Sequence, residues 1–109
     1  MTSADASNPC RFIFIFGFET PDQLGNNQRH GWDDEDSMTV CILAESEGQA
    51  LSWGREVAER HVNELFRRSG ISDFSWKQHG YAHWIEHEAS RVVSGTRLPV
   101  LKVGEYLST

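Results

Sequence analysis

The sequence predicts an α+β fold: a two-layer sandwich in which one long helix, Ser46 to Gly70, covers one face of a mixed four- to five-stranded sheet. Three observations carry this expectation. Ala50, Gly54, Val57, Ala58, His61, Val62, Leu65 and Phe66 recur at helical spacing, opposite a polar arc of Glu56, Glu59, Arg60, Asn63, Glu64 and Arg67. Residues 11–19 and 38–44 are continuous apolar runs rich in Phe, Ile and Val, as strands covered on both sides tend to be. A chain of 109 residues is one domain, long enough to bury a modest core without staples.

Taken in order, residues 1–10 read as a disordered N-terminal tail ahead of a single domain, 11–109. The first strand carries Phe12, Phe14, Phe16 and Phe18 on one side and Ile13, Ile15 and Gly17 on the other, which places it inside the sheet. Residues 20–37 show neither periodicity and are expected to form a long acidic loop, with at most a helical turn at its start, capped by Thr20 with Pro21 following. The second strand leads through Ser46, which with Gln49 makes a capping-box pair, into the long helix. Gly54 sits at the centre of the apolar arc, a position explained by close approach of helix to sheet. Arg67 and Arg68 suit the helix C-terminus, and Gly70 is placed to leave it in the left-handed conformation.

The strands before and after this helix should run parallel if they share a sheet. Phe74 and Trp76 alternate with polar residues, so 73–86 is read as a strand bent near Gly80, with a short helix as the rival. Residues 88–96 read as loop, and Pro99 marks 98–103 as an edge strand, because proline cannot donate to a ladder. One helix shields one face only, and the first strand is apolar on both. A second copy of the chain, docked on the Phe12/Phe14/Phe16/Phe18 face, is therefore the expected cover for the other, with the long loop as the alternative.

Ten Lys and Arg against sixteen Asp and Glu leave a net charge of −6, which argues against nucleic acid or an anionic membrane as partner and suits a basic protein or plain solubility. Protonation of the five histidines would cancel five of those six charges below pH ~6. Cys10 and Cys41 make no disulfide framework and are read as reduced. With no secretory leader and no run approaching the ~20 apolar residues of a membrane span, a cytoplasmic protein is expected.

Two segments are candidate binding sites. In the first, Trp32 precedes Asp33, Asp34, Glu35 and Asp36. The four carboxylates lack the alternating ligands and mid-loop glycine of a calcium loop. The alternatives are docking onto a basic surface, with Trp32 as aromatic anchor, or a solvated loop. In the second, His79, His83 and His87 are spaced by four, with Trp84 among them. On a helix two such histidines can share a zinc ion; on a strand, positions four apart stand about 13 Å apart at ~3.3 Å per residue and cannot.

His61, on the apolar arc, is read as a core histidine bonded to a backbone carbonyl. No nucleophile, base and orienting group can be assembled, so catalytic residues, metal and cofactor are assigned as none. The leading expectation is a non-catalytic protein-interaction module, an inhibitor or immunity-type protein for a basic partner being one version. A small-ligand or metal-binding domain using the 79–87 segment is the alternative. An enzyme using His61, His83 or Glu86 as acid/base groups ranks last.

Overall fold

The structure, a computed structural model, describes residues 10–87 and 98–107. The tail expected before Cys10 and the loop expected at 88–96 lie outside them. Strand β1 (Cys10–Phe18) is followed by helix α1 (Pro21–His30), strand β2 (Asp36–Ala44), the long helix α2 (Glu47–Arg68), a single turn α3 (Trp76–His79), and strands β3 (His83–His87) and β4 (Val100–Lys102). The strands form one mixed sheet in the order β3-β1-β2-β4. β1 is antiparallel to both of its neighbours, and β4 is parallel to β2. It follows that β2 and β3, on either side of α2, run parallel to each other with β1 between them.

Helix α2 begins where the sequence places it. Ser46 Oγ accepts from Gln49 N at 3.1 Å, while Gln49 Oε1 accepts from Glu45 N at 2.8 Å, so the reciprocal bond reaches one residue further back than a capping box requires. At the other end Gly70 adopts φ 87°, and Ile71 N bonds back to Phe66 O at 2.9 Å. The apolar arc, including Ala50, Gly54, Val57, Ala58, Val62 and Phe66, is buried.

The helix lies on the phenylalanine face, which corrects the expected homodimer contact. Phe12, Phe14, Phe16 and Phe18 pack with Val40, Ile42, Ala50, Ala58, Val62 and Phe66 in one core cluster of the same protomer. Nor does the opposite face wait for a second copy. Ile13, Ile15 and Cys41 are buried there, with Leu43 and Leu98 against them. Two short helices not expected from the sequence add to the phenylalanine face, where Leu24, Phe74 and Trp76 join the same cluster.

The first of these is α1, ten residues of the segment expected as loop. Gly25, Asn26 and Asn27 are poor helix formers, and α1 has no fully buried residue. Its ends hold it instead. Thr20 and Gln23 form a complete capping box at 3.1 and 2.8 Å with Pro21 at the first position, and Gly31 closes the helix at φ 70°. The turn capped by Thr20 is thus present and continues to His30.

The second is α3. Phe74 and Trp76 are buried, but not as alternate positions of a strand. Side chains of α2 take the backbone groups a strand partner would need: Asn63 Nδ2 donates to Phe74 O at 2.8 Å, and Glu59 Oε1 accepts from Lys77 N at 2.9 Å. Gly80 then turns the chain at φ 72° into β3. The expected bend at Gly80 is there, with helix before it and strand after it.

His61 departs from its expected bonding. It is half-buried on α2, its ring edge-on to Phe16 and Phe18 at centroid distances of 6.3 and 6.0 Å, and its buried Nδ1 has no hydrogen-bond partner among the described residues. Burial, and then the charge of Arg68, hold its pKa below the ordinary 6.5. Between that lowered value and 6.5 the unfolded chain binds the proton more readily than the folded one. The contribution is therefore complete above pH 6.5 and is lost as pH falls below it. Thermal melts from pH 7 to 5 should show a smaller loss of Tm for His61→Leu than for the wild type. Parallel slopes would mean that the imidazole is freely solvated.

Both cysteines are free, Cys10 exposed and Cys41 buried. Among the described residues no helix is long and apolar enough to cross a membrane.

Candidate binding cleft

The register of the sheet decides which predicted site residues meet. Ile15 pairs with Trp84 on β3 and Ile13 with Glu86, so Trp84 and Glu86 share the sheet face away from α2. Phe16 pairs with His83 and Phe14 with Ile85, so His83 faces the helix layer. Trp84 is 47 % exposed, and its indole N–H donates to Glu86 Oε2 at 3.2 Å. Two residues apart on one strand, these side chains point the same way, and the bond orients the ring.

On the other side of β1, Gly17 pairs with Ser37 of β2. Gly17 lies against the acidic segment. A Cβ there would lie 3.2 Å from Glu35 Oε1, so its absence lets the Glu35 carboxylate rest over the strand. The result is an open cleft of about 290 Å³ lined by Ile15 and Gly17 of β1, Glu35, Asp36 and Ser37 at the start of β2, and Ala82 and Trp84 beside β3. Glu35 and Asp36 of the acidic segment and Trp84 of the aromatic segment, predicted as separate candidates, thus border one cleft.

The acidic segment is held by polar contacts rather than by a core. Asn27 of α1 clasps Asp34 through both amide atoms: Asp34 N donates to Oδ1 at 3.1 Å, and Nδ2 donates to Asp34 O at 2.9 Å. Nδ2 also reaches Glu19 Oε2, whose other oxygen accepts from the Tyr81 hydroxyl at 2.6 Å. Burial, reinforced by this bond to Glu19, raises the Tyr81 pKa, so the phenol remains a donor. Asp36 Oδ1 accepts from Gln23 Nε2 at 3.2 Å. The carboxylates therefore diverge. Asp33 and Asp34 stay exposed, and Trp32, 52 % exposed, stacks on His30 at 4.5 Å.

The histidines are likewise separated. His79 ends α3 and stacks between Phe74 at 4.5 Å and Tyr81 at 5.3 Å. His83 packs near Trp76 and Phe14, its Nδ1 2.9 Å from Tyr81 O. His87 pairs with Phe12 at the end of β3. Among the described residues no three His, Cys, Asp or Glu side chains converge as metal ligands. His83 and Glu86, weighed as acid/base groups, stand on opposite faces of the sheet.

Trp84, which the structure shows exposed, was visible in the sequence as a member of the 79–87 candidate segment. Gly17 and Ser37 were not, since only the pairing of β1 with both neighbours brings them beside it. Comparison of the chain with protein-family models, with curated proteins and with solved structures found no match.

Proposed function

We propose that this protein is a non-catalytic interaction module that binds a basic segment of another protein at the cleft between Glu35 and Trp84. One observation carries the reading: residues nearly fifty positions apart, acidic on one side and aromatic on the other, border a single open cleft. An exposed tryptophan in a concave site is a common interface anchor, and carboxylates at its rim favour cationic partners. The net charge of −6 acts in the same direction at longer range.

The test compares immobilised wild-type protein with Trp84→Ala, Glu35→Lys and a control, Glu45→Lys, which makes the same charge change at an exposed position before α2. A basic protein should be retained by the wild type and the control, released by rising salt, and lost from the two cleft variants. Equal retention on all four would refute the reading.

A further inference from the structure

We infer that the cleft receives an arginine side chain; this deepens the reading above and rests on it. At about 290 Å³ the cleft falls at the lower limit of small-molecule sites, the scale of one inserted side chain rather than of a cofactor. Its surfaces differ in kind. The Trp84 indole has its N–H engaged by Glu86, which leaves the ring face for stacking. Ile15 offers an apolar floor, suited to the methylenes of a long side chain.

Glu35 sits over Gly17 and forms no ion pair with any described residue, so its carboxylate is available to an incoming cation. Asp36 is less so, because Gln23 already donates to it. One free carboxylate does not hold a hard metal ion, which needs several oxygens. It does match the forked donors of a guanidinium. Guanidinium is planar, stacks on indole and is weakly hydrated, whereas an ammonium is a compact, strongly hydrated point charge. The cleft therefore selects arginine over lysine.

The experiment titrates the full ¹⁵N-labelled chain at low salt with hexa-arginine and, separately, with hexa-lysine, following the Gly17 and Ser37 backbone amide resonances in every variant and the Trp84 indole N–H where it is present. The arginine peptide should bind about fivefold more tightly or better. Trp84→Leu and Glu35→Gln should each weaken it about three- to tenfold and abolish the preference, while Glu64→Gln, on the far side of the molecule in α2, should leave both unchanged. Equal binding of the two peptides, a preference that survives Trp84→Leu, or no saturable shift with either would overturn the arginine assignment. The reading as an interaction module is judged separately, by retention of a folded basic protein on the charge-reversal variants.

Discussion

Replacing Gly54 with leucine should destabilise the protein by about 3 kcal/mol or more, and with alanine by about 1–2 kcal/mol. A Cβ at position 54 would stand 2.5 Å from Cγ and Cδ1 of Phe14, a distance that side chains do not tolerate. Phe14 is fully buried in the middle of β1, so its ring cannot swing aside. An alanine gains about 1 kcal/mol in helix propensity, which offsets part of the clash and separates the two substitutions. Urea unfolding of both variants checks the ordering. The double variant Gly54→Ala/Phe14→Leu should recover part of the loss, because shortening the ring relieves the contact. An unchanged midpoint for Gly54→Ala would mean that α2 does not approach β1 at this point.

The second large effect belongs to Trp76. This side chain is fully buried on the one-turn helix α3, edge-on to Phe16 at 5.9 Å, and its indole N–H donates to Gly17 O at 2.8 Å. Trp76→Ala should cost about 3–5 kcal/mol, mostly through the cavity it leaves. Trp76→Phe keeps much of the volume but removes the donor, and should cost about 1–3 kcal/mol by leaving a buried carbonyl without its partner. The two variants also report on the cleft, since Gly17 forms part of its lining. Trp76→Phe should shift the Trp84 indole resonance although the two rings lie on opposite faces of the sheet. Denaturant melts give the energies, and identical stabilities for wild type and Trp76→Phe would show the hydrogen bond to be worthless.

The long helix was legible almost to the residue because its pattern extends over six turns, with a cap at Ser46 and a glycine at its exit. Strands β1 and β2 were legible from their unbroken apolar content. The failures share one cause, which is shortness. Between Asp73 and Gly80, two alternating aromatics look the same in a strand as in an irregular segment entering one helical turn. The outcome was settled by Glu59 and Asn63, far away in sequence. In α1 the capping signals were visible, but the Gly25-Asn26-Asn27 interior gave no reason to extend it. The inferred dimer is a separate matter: α2 itself lies on the Phe12/Phe14/Phe16/Phe18 face to which the second copy was assigned. The cleft was harder still. Glu35, Asp36 and Trp84 stood in candidate segments, but their adjacency depends on β1 lying between β2 and β3, an order that no local pattern encodes.

That central placement of β1 bears on how the protein is made. Phe14 pairs with Val40 on one side and with Ile85 on the other. During synthesis this strand leaves the ribosome before either partner, and β3 follows it only after β2 and the whole of α2 have been translated. For that interval an uncharged Phe-Ile-Phe-Ile-Phe stretch, without proline, is available to neighbouring nascent chains. Soluble yield will then be governed by crowding of unfinished polypeptides and by translation speed, more than by how firmly the finished molecule holds together.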